Sequence, residues 1–446
     1  MSYDKRRLAE HLKSIAGHIL HKVPDPASVH SMHLLGGGGV TITMTSRAHG
    51  PVVMKTPDDG TPTLAIVDEG CYAREEFLVE CLKDEELATL VGSKAISEQL
   101  DAMLKARRGA IAPNDDTDQI LREELLKPLR DAITDWTVYV PLANLHVKSE
   151  ISIGNVAFVP RNRGLLQNVA LAMRHEFSPS QTPQEQDSGR VSILDIVADA
   201  AKCSAWAMVS LRSHPKNLDV VAKAAVDTAV NLLRAFTYTL YRRDQRRIFG
   251  LAAEVHQGRA VLLARSTGAD LHFPSHRTGY LMPFELGTDE LAHLRANCAF
   301  DTLCALAAKS PKERNTLESA VLVAAHWVGR SVAASTPEDA FTWLTIAIER
   351  LVICDGEKAT TDQYADRLTF LLSDIKEQRQ SIQRVAKRLY DLRSKIVHSG
   401  YLGVTKTELA QLEQLAVDAL INSLQLASSL ASQDALRNLL NERKLD

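Results

Sequence analysis

The chain has 446 residues, 45% of them hydrophobic and 24% charged, and 52 Lys and Arg against 55 Asp and Glu give a formal net charge of -3. This length implies about two or three domains, each able to bury a core. The apolar content and small charge imbalance exclude a disordered chain. Near-neutrality excludes bulk electrostatic attachment to nucleic acid or anionic lipid, so such binding has to come from a local patch.

Charges interrupt every apolar run between Met1 and Leu20, so no signal peptide is expected there. No stretch approaches the ~18 consecutive apolar residues that span a bilayer. Cys71, Cys81, Cys203, Cys298, Cys304 and Cys354 are scattered without a CxxC, which points to free thiols rather than a disulfide framework or a zinc site. The expectation is a soluble, cytoplasmic protein with no membrane partner.

In chain order, Leu8, Leu12, Ile15 and Ile19 recur at helical spacing and predict a first helix, stopped by Pro24 and Pro26. Residues 30–68 read as strands and turns, with VTITM following Gly36–Gly39 and TLAIV following the turn signal TPDDGTP. Helical patterning covers about 72–108 and 117–133, with a loop from Ala112 to Thr117 between them. WTVYVPL (136–142) and ISIGNVAFVP (151–160) predict a strand pair. The polar run from Ser178 to Arg190 predicts a long loop or linker. Helices are predicted at about 192–211 and 216–241, a further strand at RAVLLAR (259–265), and a loop rich in Gly, Pro and His at 267–288.

From about residue 290 strand signals vanish, and helices are predicted at 288–309, 312–334, 337–353, 362–374, 378–398 and 405–431. Ser310-Pro311, Thr336-Pro337 with Glu338, and Thr405 with Glu408 supply start signals. The fold class is therefore α+β. A mixed α/β region of one or two subdomains over 1–290, suited to a sensing or regulatory role, precedes an all-α bundle over 291–446.

Several candidate sites reduce to structural explanations. Gly36–Gly39 lacks the Gly-Lys-Ser/Thr of a phosphate loop. Asn114, Asp115, Asp116 and Asp118 lack the glycine and distal glutamate of a calcium loop and suit a helix cap. His272 and His276 are separated by Pro274 and share no helical face, and His326 lies within an apolar helix. Arg242, Arg243, Arg246 and Arg247 crowd a helix end, where they complement the dipole as readily as they would bind phosphate.

Ser381 to Tyr401, SIQRVAKRLYDLRSKIVHSGY, is different. Ile382, Val385, Leu389, Leu392 and Ile396 form an apolar stripe, and Arg384, Lys387, Arg388, Arg393 and Lys395 occupy the other faces. The helix ends at His398, with Gly400 suited to a left-handed cap. A histidine can move the protons of an attacking 2′-hydroxyl and a leaving 5′-oxygen, and an arginine can hold the phosphate between them. Arg393 and His398 stand five residues apart, about 140° around an ideal helix, so one chain presents them imperfectly to one phosphate. Two copies of the helix across a symmetric dimer supply two pairs to one cleft.

YDLRSKIVHSG resembles the signature of the HEPN superfamily, in particular its Apea-like branch, whose terminal helices carry R-x4-6-H. FTWLTIAIERLVI (Phe341 to Ile353) is similar to that branch's earlier core helix, with Glu349 and Arg350 as its polar pair. The chain departs from the pattern at Ser399, which separates His398 from Gly400, and at Ser394. The resemblance covers about 312–430 and implies a HEPN-like helical domain that dimerises and cleaves RNA without metal or cofactor, in toxin or phage-defence settings, although inactive binding relatives also occur. By this resemblance Arg393 and His398 are catalytic, and Lys387, Arg388 and Lys395 bind RNA. Glu349, Tyr390, Asp391 and Ser394 support them.

Overall fold

The computed structural model describes residues 3–20, 32–35, 64–67, 69–107, 111, 116–161, 203–241, 248–251, 264–265, 271–272, 283–354, 356–357 and 360–445. The chain divides into two compact units, Met1–Trp136 with Leu211–Ala222, and Thr137–Ser210 with Lys223–Asp446.

In the first unit, helix α1 (Lys5–Gly17) starts at Asp4, whose carboxylate accepts from the Arg6 and Arg7 N–H groups. Leu8, Leu12 and Ile15 are fully buried, as their spacing predicts, and α1 packs on α2 (Glu69–Cys81). Strands β1 (Ile19–Leu20), β2 (Met32–Leu35) and β3 (Leu64–Val67) form an antiparallel sheet in the order β1-β3-β2. TLAIV is thus β3, while VTITM and Gly36–Gly39 lie outside the described residues.

The two helical stretches that follow are each interrupted by a wider turn. A π-helical segment, Leu87–Val91, separates α2 from α3 (Gly92–Ala106), and another, Leu121–Leu126, joins α4 (Thr117–Ile120) to α5 (Lys127–Asp131). Gly92 has φ +77°, and a Cβ there would run into the Asn217 side chain, so glycine is required on both counts. The carbonyls freed at this break find other donors. Leu90 O accepts from the His214 N–H at 2.8 Å and the Ser213 hydroxyl at 3.1 Å, and Thr89 O accepts from the Asn217 amide at 3.1 Å.

A five-stranded sheet of order β6-β7-β8-β4-β9 runs through the middle of the chain: β4 (Thr134–Ala143), β6 (Ile151–Ile153), β7 (Val156–Pro160), β8 (Ala205–Ser213) and β9 (Gly250–Leu251). Two expectations are corrected here. ISIGNVAFVP is a hairpin, because Gly154 at φ +63° turns the chain and pairs Ile153 with Val156. Its sheet neighbour is then β8, which stands between it and β4. The segment 205–211, read as helix, is strand. Ala205, Trp206, Ala207 and Val209 are all buried, and a strand buried on both faces loses the alternation that marks an amphipathic one.

Short strand β5 (Leu145–Val147) pairs in parallel with β12 (Phe284–Leu286), and β10 (Ala264–Arg265) pairs with β11 (Leu271–His272). Residues on both sides of the expected boundary at 290/291 belong to the second unit. Helices α6 (Leu218–Arg234) and α7 (Thr237–Leu240) correspond to the stretch predicted at 216–241.

The C-terminal half is helical: α8 (Thr288–Asn297), α9 (Phe300–Ala308), α10 (Thr316–Val332), α11 (Pro337–Val352), α12 (Thr361–Leu372), α13 (Lys376–Ser399), α14 (Lys406–Ala427) and α15 (Gln433–Leu445). The helix expected over 288–309 is broken at Ala299, φ +52°, which turns Phe300 inward to meet Phe236 edge-on at 5.4 Å. Helix α10 starts at Asn315 rather than at Ser310-Pro311, because Asn315 and Glu318 close a reciprocal capping box. Thr336 and Thr405 cap α11 and α14 as predicted. Helix α15 had no strong signal in its polar sequence. It is held by buried Leu436 and Leu440 and by the Gln433 amide, which donates to the Arg350 and Ile353 carbonyls.

Arg367 braces the link from α11 to α12, donating to Val352 O at 3.0 Å and to both Glu357 oxygens at 2.6 and 3.1 Å. That guanidinium, with the Cys354 N–H, holds the Glu357 carboxyl down to about 2 from an ordinary 4.5. A carboxylate favoured in the folded state contributes stability above its unfolded pKa and loses it as pH falls through the folded value. Glu357→Gln is therefore expected to be less stable than wild type at pH 7, with the gap closing between about pH 4.5 and 2. Urea unfolding at pH 7, 4 and 3 measures this, and a gap independent of pH contradicts it. Among the described residues, no helix is long and apolar enough to cross a membrane.

Candidate active site

Helix α13 is the longest helix described, and it is only lightly covered. Of its apolar stripe Leu389 is buried, together with Ala386, while Ile382, Val385, Leu392 and Ile396 are half-buried and Val397 is 49% exposed. The helix stops because Gly400 takes φ +63°, and its N–H returns to the Ile396 carbonyl at 3.1 Å. Ser399 is the last helical residue, so the extra residue before the glycine keeps His398 in the final turn. His398 is exposed there, flanked by exposed Val397, Tyr401 and Leu402. Lys395, Ser394 and Asp391 are exposed too, on the same last turns.

Arg393 is held differently. Its side chain is only 24% exposed, and Nη2 lies 3.5 Å from Glu349 Oε2 of α11. The other carboxylate oxygen, Oε1, accepts from the Tyr390 hydroxyl at 2.9 Å. Arg393 Nε is buried without a hydrogen-bond partner. The Tyr390 ring lies 4.4 Å from that of Tyr364 on α12, tilted by 31°, and the Arg393 guanidinium carbon is 5.9 Å from the Tyr390 ring centre. Burial and the hydrogen bond to Glu349 push the Tyr390 phenol up to about 12. Burial also raises the Tyr364 phenol well above its ordinary value. Arg393, Tyr390 and Glu349 thus meet in one place, as three of the residues named from the sequence; Tyr364 completes the cluster. No local pattern marks Tyr364, because its role depends on α12 packing beside α13.

The remaining basic residues are partly neutralised. Lys387 pairs with Asp362 at 2.6 Å, and this hydrogen bond raises its pKa. Arg388 pairs with Glu408 at 3.1 Å and donates to Gln411. Both pairs are solvated, so a polyanion can displace them at little cost. Glu408 also closes the capping box of α14, so Arg388 ties α13 to the start of the next helix.

The other candidates fall as follows. Asp116 caps α4, accepting from the Asp118 and Gln119 N–H groups. His326 is half-buried beside Trp327 with its pKa lowered by burial, a packed imidazole rather than a ligand. Asn114, Asp115, Arg242, Arg243, Arg246, Arg247 and His276 lie outside the described residues. Among the described residues no group of three or more His, Cys, Asp or Glu is gathered to hold a metal ion.

An exposed histidine can perform proton transfer beside a phosphate held by an anchored arginine. Comparison with protein-family models, with curated proteins and with solved structures gives no match to this chain.

Proposed function

We propose that this protein is a metal-independent endoribonuclease of HEPN type, acting in the cytoplasm as a toxin or phage-defence effector. The observation that carries the reading is the end of α13, where His398 stands open to solvent and Arg393, five residues earlier, is anchored by Glu349. His398 moves the protons of the 2′-hydroxyl and the 5′-oxygen, and Arg393 holds the phosphate through transition-state charge build-up. The products are a cyclic phosphate and a 5′-hydroxyl.

The two residues diverge around the helix, so the site is completed by a second copy. The half-buried Leu392 and Ile396, with exposed Val397 and Leu402, supply an apolar strip for a two-fold contact along α13. A non-catalytic nucleic-acid- or protein-binding module is the second reading. The pairing of Arg393, Lys387 and Arg388 with acidic partners favours it.

The test is incubation of the purified full-length protein with cellular RNA in a chelator, with end-group mapping and sedimentation. Cleavage to 5′-hydroxyl ends by a dimer is expected. Absence of cleavage under all activating conditions, with cellular toxicity unaffected by His398→Ala, decides for the binding module.

A further inference from the structure

We propose that the Tyr390 hydroxyl is a positioning group. It occupies one oxygen of Glu349 and so prevents that carboxylate from gripping Arg393 with both oxygens, leaving the guanidinium fork for a phosphate. This rests on the phosphodiester-cleaving reading of the Arg393–His398 site.

An arginine beside a carboxylate normally settles into two parallel N–H···O bonds, the strongest arrangement open to the pair. Arg393 does not. It makes one contact to Glu349, at 3.5 Å, and keeps a buried Nε without a partner. The reason lies in the division of the carboxylate, since Oε1 is taken by the Tyr390 hydroxyl at 2.9 Å. Tyr390 precedes Arg393 by three residues on α13, so both side chains share a face of the helix and reach α11 together.

Tyr390 is itself fixed. Its ring rests on Tyr364, which is 1% exposed, and the Arg393 guanidinium carbon lies 5.9 Å from the ring centre. The phenol's raised pKa keeps it a hydrogen-bond donor across the neutral range. Glu349 then has two functions. It aims Arg393 along the helix surface, and it holds the guanidinium weakly enough for an incoming phosphate to take the free donors.

The sign of the test is unusual, because removing a hydroxyl that does not touch substrate is expected to tighten an internal ion pair and weaken binding. Three full-length variants are compared with wild type: Tyr390→Phe, Glu349→Gln and the double variant. The probe is a fluorescent mixed-sequence single-stranded RNA carrying 2′-O-methyl groups throughout, which cannot be cleaved. Tyr390→Phe is expected to bind about tenfold more weakly, and its crystal structure to show two Arg393–Glu349 bonds near 2.9 Å. Adding Glu349→Gln removes the competing charge and is expected to restore affinity to within about twofold of wild type. A merely structural role predicts the opposite, with the double variant weaker than either single one. An unchanged single contact in the Tyr390→Phe structure, or failure of the double variant to recover, overturns the proposal. A wild-type chain that neither binds nor cleaves RNA counts against the parent reading instead. The two failures are separable, since the Arg393–Glu349 pairing is read directly from the structures.

Discussion

Replacing His398 by alanine is expected to lower the rate of RNA cleavage by about 10²- to 10⁴-fold, the usual contribution of a general acid or base. The fold should be indifferent to the change, because His398 is exposed in the last turn of α13 and the chain reversal after it is made by Gly400. Thermal unfolding of His398→Ala is therefore expected to coincide with wild type within about 0.5 kcal/mol. Single-turnover cleavage of a labelled RNA together with calorimetry measures both quantities. Loss of cleavage with loss of stability would mean that the imidazole is a structural group, and undiminished cleavage would remove it from the mechanism. Arg393→Lys is the informative companion, since lysine keeps the charge but not the planar fork.

The largest stability effect is expected far from that site, at Gly329. Helix α10 approaches α6 so closely there that a Cβ on Gly329 would fall within the van der Waals shell of the Asn231 carbonyl and 2.9 Å from the Asn231 Cα. The obstacle is backbone, and backbone cannot swing aside as a side chain does. Asn231 is 1% exposed and beside it Arg234, 2% exposed, donates to the Asn231 side chain and the Phe249 carbonyl, so the surroundings have little room to yield. Gly329→Ala is expected to cost about 3 kcal/mol or more, at the upper end for an overpacked core. On helix propensity alone the substitution would gain roughly 0.5–1 kcal/mol, so the two effects have opposite signs and the measurement decides between them. Equilibrium urea unfolding provides it. A variant as stable as wild type would show that the two helices separate readily.

What was legible in the sequence is what interactions within about four residues control. The burial of Leu8, Leu12 and Ile15, the capping box that starts α14 and the glycine stop after α13 are all of this kind, whereas the Asn315–Glu318 box that starts α10 replaces the start expected at Ser310-Pro311. The candidate histidine and arginine were also visible, because a basic helix ending at His398-Ser399-Gly400 is a local pattern. Strand β8 escapes the sequence reading for the complementary reason: its place between β7 and β4 and the burial of Ala205, Trp206, Ala207 and Val209 depend on segments remote in the chain.

By itself, the sequence determined the five helices α10 to α14 and the apolar stripe of α13, and it singled out Arg393 and His398 as the pair proposed for phosphate and acid–base chemistry. Only the tertiary structure decided which acids meet which bases. Tyr390 and Arg393 share the two oxygens of Glu349 across separations of 41 and 44 residues, and Lys387 and Arg388 are drawn to Asp362 and Glu408. Helical periodicity is set along one chain segment, whereas the partner of a charged side chain is set by distance across packed helices. That distance is known only once the bundle has closed.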